Sequence, residues 1–571
     1  MTMIVDLFFP LSPGLLLILG GLLVPFLSYR IGRVYVLALP AVLLVYLFAL
    51  PDGNHGAVTM LGYELELLRL DNLSRIFATI FLIASILGNL YAWHEPDRVQ
   101  RTAAQIYAGS AIAAALAGDL ISLFVFWELT AVSSVFLIWA SGTESAYRAG
   151  MRYLIIQVGS GVILLAGLII HVTTTGSIAF DHFGLEAPGA WLIFLAFGIK
   201  CAFPLLHNWL QDAYSEATVT GTVVLSAFTT KLAVYTLARG FAGTEILIWI
   251  GAAMTMFPIF YAVIENDLRR VLAYSLNNQL GFMVVGIGVG TELALNGTAA
   301  HAFCHILYKA LLFMSMGAVL FRTGTCKGSE LGGLYKSMPW TAAFCMVGAA
   351  SISAFPLFSG FVSKSLIMSA SANEGYWFVW GVLLFASAGV FHHSGIKIPY
   401  FAFFAHDSGR RPKEAPFNML LAMGISAILC VGIGVWPDPL YALLPFELDY
   451  VPYTTAHVIT QLQLLMFSAL AFTVLMRTGI YPPELKSTNL DFDWVYRRYL
   501  PNVLGKLGTA IDISYQSVTG NAKTVINAAM AASVTVFAPG GLSGRIARVG
   551  NAVAIVAFLL LVALVVSYSA I

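Results

Sequence analysis

Apolar stretches long enough to cross about 30 Å of hydrocarbon recur along this 571-residue chain, separated by short loops that hold nearly all of its charge. Inside a bilayer the backbone has no water to bond to, so only helices and closed barrels can span it, and runs of this length read as helices. About sixteen such stretches can be counted. The fold class expected is an all-α integral membrane protein with about sixteen transmembrane helices.

Composition agrees, with 59% hydrophobic and only 10% charged residues, where a soluble domain carries roughly 25% charge. A net charge of +1 gives no footprint for nucleic acid. The five cysteines are odd in number and scattered, without the spacing of a disulfide, zinc or iron–sulfur site. No phosphate loop, dinucleotide fingerprint or nucleophile elbow lies in a suitable setting, so neither cofactor nor metal is expected and the chain is not read as an enzyme. The amino terminus lacks a basic region before its first apolar run, so that run is expected to stay as a helix.

Basic residues are retained on the cytoplasmic side of a membrane. With the loop after the first helix placed there, alternate loops carry Arg30 and Arg33, Arg98 and Arg101, Arg148 and Arg152, Arg269 and Arg270, and Arg410, Arg411 and Lys413. The opposite loops are acidic, with Asp52, Glu64, Asp181, Glu186 and Glu374 among them. Both termini are therefore expected outside, in a multi-pass protein of a bacterial-type inner membrane.

Two stretches are interrupted by proline. Helix 7 reads G-I-K-C-A-F-P-L-L-H-N-W, with Lys200 before Pro204, and helix 12 reads A-F-P-L-F-S-G-F-V-S-K, with Lys364 after Pro356. Each is expected to break at mid-membrane. Five helices separate them, so helices 4–8 and 9–13 read as two inverted copies of one five-helix unit, and corresponding broken helices in two halves point to an ion site. The organisation expected is three helices over 1–102, repeats over 103–238 and 239–405, and two further spans over 406–476. A cytoplasmic linker with an amphipathic surface helix follows over 477–551, and a final anchor over 552–571.

Ionisable groups sit inside the apolar stretches, where burial is costly and the default reading is an ion or proton pathway. Glu128 lies nine residues after Asp119 in D-L-I-S-L-F-V-F-W-E-L, and Lys200 and Lys231 are its expected partners. Burial favours a neutral amine and a nearby carboxylate favours the ammonium, so moving the carboxylate switches the lysine's hold on its proton. Helix 11, H-A-F-C-H-I-L-Y-K-A-L-L-F, places His301, His305 and Lys309 on one face at i, i+4 spacing. With no third ligand in register, a proton relay suits the pair better than a metal. Helix 13 adds His392, His393 and Lys397. Asp212, Glu216, Glu265, Asp267, Asn277 and Asn278 are placed nearer helix ends, where a solvated or capping role weighs at least as much as an entry path.

These strings, with N-D-L-R-R-V-L-A-Y-S, resemble the antiporter-like proton-conducting subunits of respiratory complex I, membrane-bound hydrogenases and Mrp-type sodium/proton antiporters, over roughly Asp71 to Ala405. The resemblance implies a fourteen-helix core, and a relay whose roles fall on Glu128, Lys200, Lys231, His305 and Lys364; His301, Lys309, His392 and Lys397, named by their placement in helices 11 and 13, are secondary to it. S-G-F-V-S-K and I-K-I-P-Y-F-A-F-F look nearest to the D-type component of an Mrp antiporter, while the long tail is more like larger members. Two strings depart from the family: E-A-T-V-T-G-T replaces its prolines after helix 7, and L-N-N-Q replaces its serines after L-A-Y-S. The implied partners are other membrane subunits, protons, sodium ions and the lipid bilayer. A redox-driven proton pump, the membrane half of an inorganic-carbon uptake system and a charge-registered packing scaffold are the rival readings.

Overall fold

The computed structural model describes residues 10–60, 62–485, 489–537 and 549–568. The chain divides into two compact units, Met1–Asn489 and Leu490–Ile571.

The first unit opens with α1 (Pro13–Leu23) and α2 (Tyr29–Ala49). Residues 51–71, read from the sequence as a loop, instead form an antiparallel hairpin of β1 (Gly53–Met60) and β2 (Tyr63–Leu70), with Gly53 opposite Leu70. Leu65, Leu68 and Leu70 turn inward, and the Asp119 carboxylate accepts the Glu66 N–H at 2.8 Å, fixing the hairpin to the bundle. Helices α3 (Asn72–Tyr91), α4 (Arg98–Leu116), α5 (Leu120–Trp139) and α6 (Glu144–Thr175) follow. Next come α7 (Ala190–Lys200), α8 (Asn208–Glu216), α9 (Val219–Ala227) and α10 (Thr229–Gly240). Then α11 (Ile246–Ile264), α12 (Leu268–Val289), α13 (Glu292–Thr323), α14 (Pro339–Ile352) and α15 (Ser359–Asn373) continue the bundle. Helix α16 (Trp377–Val390) runs on through π-helical turns at Phe391–Lys397 and Tyr400–Phe404, before α17 (Phe417–Val435), α18 (Asp438–Tyr441) and α19 (Thr455–Thr478).

Among the described residues ten helices are by themselves long and apolar enough to cross a membrane, counting α9 with α10 and α16 with its π turns as one each. Others in the sequence count are short, such as α7 and α14, or polar, such as α12 with Arg269, Arg270, Asn277, Asn278 and Gln279. The apolar window of α13 is 94% buried and that of α9–α10 fully so, against 28% for α2 and 22% for α19. The helices carrying Lys231, His301, His305 and Lys309 are thus among the innermost.

Capping chemistry repeats between the two halves. Asp119 caps α5 and Asp267 caps α12; each also forms an isolated β-bridge, to Ala179 and to Lys327. Helices α6 and α13 are both 32 residues long, start after a threonine cap (Thr143, Thr291) and end on a left-handed glycine (Gly176, Gly324). The interval between partners is the same in all these pairs, as two copies of one unit require.

In the second unit a π-helical turn, Val495–Tyr499, leads into α20 (Leu500–Phe537), followed by α21 (Val549–Tyr568). At 38 residues α20 is about 57 Å long. Leu500, Leu504, Leu507, Ile511, Tyr515 and Val518 form an exposed apolar stripe at helical spacing. Residues 538–548 of the expected linker and 569–571 of the expected anchor lie outside the described residues.

Candidate functional site

The two proline strings break their helices in the same way. In A-F-P-L, Ala202 and Leu205 have φ of 63° and 71°; in the second A-F-P-L, Ala354 and Leu357 have φ of 57° and 75°. Phe203 N–H donates to Gly198 O and Ala202 N–H to Ile199 O, a pattern repeated by Phe355 to Ala350 and Ala354 to Ser351. This is the Schellman ending, normally built on glycine, here with alanine in the left-handed position. Non-glycine residues held there store about 1–3 kcal/mol each, and such strain clusters at functional sites.

The lysines collect at these discontinuities. Lys200, the last residue of α7, is fully buried; its Nζ donates to Trp127 O (2.5 Å) and Thr130 Oγ1 (2.9 Å) on α5 and lies 4.2 Å from the Trp127 ring centroid. Glu128, adjacent on the same helix turn, is half-buried, and its Oε1 has no hydrogen-bond partner among the described residues. The expected partners therefore share one site without a direct Lys200–Glu128 bond. The Glu128 carboxylate rests against Gly161 of α6, where a Cβ would come within 1.4 Å of Oε1. Lys231 folds back onto Ser226 O (2.6 Å), beside the interruption between α9 and α10. Lys364 lies beyond the second break, yet its amine returns to Ile352 O (3.2 Å) at the end of α14. A cavity of about 220 Å³ is lined by Lys364, Ser365, His457 and Gln461 among others.

On α13, His301, His305 and Lys309 are all fully buried, and the two imidazoles lie 6.2 Å apart in near-parallel planes. His301 Nδ1 is 3.2 Å from Ser363 Oγ, and its Nε2 is 3.5 Å from Tyr308 OH, which donates to Gln279 Oε1 at 3.2 Å. Lys364 Nζ lies 5.0 Å from the Phe282 ring centroid, which is itself 6.0 Å from the His301 ring, so α12, α13 and α15 bring these groups into one neighbourhood. Both nitrogens of His305, and Lys309 Nζ, have no hydrogen-bond partner among the described residues.

Asn277 and Asn278 depart from the sequence expectation. They are fully buried within α12 together with Gln279, because α12 is packed on every side; Asn277 donates to Ala202 O at the first break (3.0 Å) and Asn278 to Thr255 O. Asp267 does cap α12, and Asp212 pairs with Arg152 at 2.7 Å.

At the far end, the π turns place His393, Ser394 and Lys397 inward. His393 Nδ1 is 2.9 Å from Ser394 Oγ, which donates to Ser275 Oγ at 2.7 Å. His392 takes another direction, stacking on Tyr481 with ring centroids 5.5 Å apart. Lys397 forms a buried ion pair with Glu484 at 3.0 Å. The sequence reading put Glu484 in a polar linker; the chain after α19 instead folds back onto the bundle, since Tyr481 finds an aromatic socket of His392, Phe401 and Phe472. Thr130, Tyr308, Gln279, Ser363, His457 and Glu484 were thus missed. L-N-N-Q flags Gln279 as a departure from the family, and Tyr308 and Ser363 stand within the strings H-A-F-C-H-I-L-Y-K and S-G-F-V-S-K, where nothing in the spacing singles them out.

Residues 117–391 match the family described as NADH:quinone oxidoreductase/Mrp antiporter, TM. The chain is 30% identical over 350 residues to the D component of the Na(+)/H(+) antiporter of Alkalihalophilus pseudofirmus, covering 57% of this chain and 70% of that one. It is 32% identical over 347 residues to the N component of the NADH-quinone oxidoreductase of Desulforudis audaxviator, covering 56% and 69%. Its fold is similar to a chain of the Mrp complex from Dietzia sp. DQ12-45-1b, with a TM-score of 0.69, 21% identity, and coverage of 76% and 95%. Broken apolar helices, buried lysines and these similarities converge: the chain is a membrane protein of the NADH:quinone oxidoreductase/Mrp antiporter family.

Proposed function

We propose that this chain is the proton-translocating subunit of a multisubunit cation/proton antiporter, with sodium as counter-ion, working with other membrane subunits in a bacterial-type inner membrane with both termini outside. Glu128, Lys200, Lys231, His305 and Lys364 form its relay, and His301, Lys309, His392 and Lys397 are secondary. The observation that carries the reading is the set of buried polar groups without protein partners among the described residues, Glu128 Oε1, both nitrogens of His305 and Lys309 Nζ, between two identically broken helices. Leaving such groups unsatisfied costs about 1–3 kcal/mol each, so native structures supply ordered water. Non-helical backbone at membrane depth is tolerated where it lines a wet cavity. Together these favour a hydrated corridor over a dry scaffold.

Within the corridor, a carboxylate drawn toward a buried ammonium holds its proton in place, and a carboxylate withdrawn releases it. Glu128 meets Lys200 through one helix turn rather than a locked pair, which suits such a moving charge. The five-helix repeats over 103–238 and 239–405 supply the two halves, and α20 lies along the membrane surface, its apolar stripe against lipid. Glu128→Ala or Lys200→Ala abolishes sodium-dependent proton flux in vesicles while the complex still assembles; full flux in both variants refutes the relay. Similarity to a component of NADH-quinone oxidoreductase favours a second reading, a redox-driven proton pump. Copurifying flavin or iron–sulfur chains would select it.

A further inference from the structure

Lys397 and Glu484 meet at the C-terminal end of α11, just before Arg269 and Arg270 at the start of α12 and beside Gly328, the neighbour of Lys327. The Lys397 ammonium has three N–H bonds, and three carbonyls at the end of α11 receive them: Ala262 (3.2 Å), Val263 (2.6 Å) and Glu265 (2.6 Å). Glu484 Oε1, at 3.0 Å, is a fourth and surplus acceptor. The ammonium is therefore held without it, and the negative end of the α11 dipole adds to that hold.

Two carboxylates face this lysine, and they differ in freedom. Glu265 is locked: its Oε1 accepts the N–H groups of Asn266 (2.9 Å) and Asp267 (3.1 Å), and its Oε2 accepts Asn489 Nδ2 (3.1 Å). Glu484 has only its ionic contact with Lys397, and neither of its oxygens has a hydrogen-bond partner of good geometry among the described residues. It rides on non-helical chain between Pro483 and Leu485, both exposed, and its Oε2 faces Gly328 next to exposed Lys327. On the inner side of Lys397 the same π turns bury His393 and Ser394, with Ser394 donating to Ser275 on α12.

We infer that Glu484 is the proton-exchange carboxylate of Lys397, connecting the interior of the second repeat to the aqueous phase. In the outgoing direction one Lys397 N–H turns from its carbonyl to Glu484 Oε1, and that N–H bond breaks as a Glu484 O–H bond forms, leaving a neutral amine and a neutral acid. The segment then exposes the acid, which releases its proton to water and returns as carboxylate; uptake is the reverse. The inference rests on the proton-translocating reading above. Its competitor is a static pin, in which the ion pair merely fastens residues 479–485 to the bundle.

Glu484→Gln separates the two, because the amide keeps the size and an oxygen acceptor for Lys397 but cannot carry a proton. In the intact complex reconstituted in vesicles, Glu484→Gln lowers proton flux at least roughly tenfold, in line with loss of a proton-transferring group, and Glu484→Asp restores part of it. A pH-jump infrared difference spectrum of the unmodified complex shows a carboxylic acid band that Glu484→Gln removes. Unchanged flux in Glu484→Gln with Glu128→Ala inactive overturns this inference alone. Equal losses in the Gln and Asp variants with no missing band also overturn it, in favour of the pin. Full flux in Glu128→Ala and Lys200→Ala overturns the relay, and this inference with it.

Discussion

Gly161→Ala moves the Glu128 carboxylate while leaving every ionisable residue in place. A Cβ at position 161 would lie 1.4 Å from Oε1, 2.3 Å from Cδ and 3.1 Å from Cγ of Glu128, where ordinary contact is 3.4–4 Å. The carboxylate must therefore retreat by about 2 Å. It is the tip of a flexible side chain, so it yields before either helix backbone does, and alanine inside α6 is favoured over glycine by about 1 kcal/mol. Stability should thus hold or rise slightly. Transfer between groups misplaced by an ångström or more falls steeply, and the expected loss of sodium-dependent proton flux is on the order of tenfold to a hundredfold. Gly159, two residues away, has no heavy atom within 4 Å of its would-be Cβ, which makes Gly159→Ala the control. Flux in reconstituted vesicles, with assembly checked by size-exclusion chromatography, reads the outcome. Wild-type flux in Gly161→Ala, or equal losses in both variants, would show that the position of Glu128 does not matter.

Ala202→Gly and Ala354→Gly relieve left-handed alanines at the breaks, and each should raise stability by about 1 kcal/mol in thermal unfolding of the complex. Ala202→Val should lower it instead, since a β-branched residue tolerates that backbone least. In the loop after α16, hydrogen bonds from Arg411 and then Lys336 and the Gly409 N–H hold the Asp407 carboxyl well below its usual range. A depressed folded value means that this tie is fully present above the ordinary carboxylate range and is lost only as pH falls through the lower value. Protection factors against hydrogen exchange across residues 406–411, which correct for the intrinsic pH dependence of exchange, should accordingly stay constant from neutral pH to about pH 4 and be lower in Asp407→Asn throughout that range.

Much of the architecture is written locally. Apolar length marked ten of the roughly sixteen expected spans, Pro204 and Pro356 marked both broken helices, and charges at mid-stretch pointed to Glu128, Lys200, Lys231, His305, Lys364 and Lys397 as groups enclosed wholly or partly by the bundle. These signals survive translation into three dimensions because a bilayer penalises each buried charge and each unbonded backbone group wherever the helix packs. Partnership is another matter. Lys200 chose a carbonyl and a hydroxyl over Glu128, His393 turned inward where His392 did not, Asn277 and Asn278 were enclosed, and Glu484 came back from beyond α19 to meet Lys397. Each of those outcomes depends on which distant segment fills a given neighbour's volume, and helical periodicity, a property of a few consecutive turns, holds no record of that.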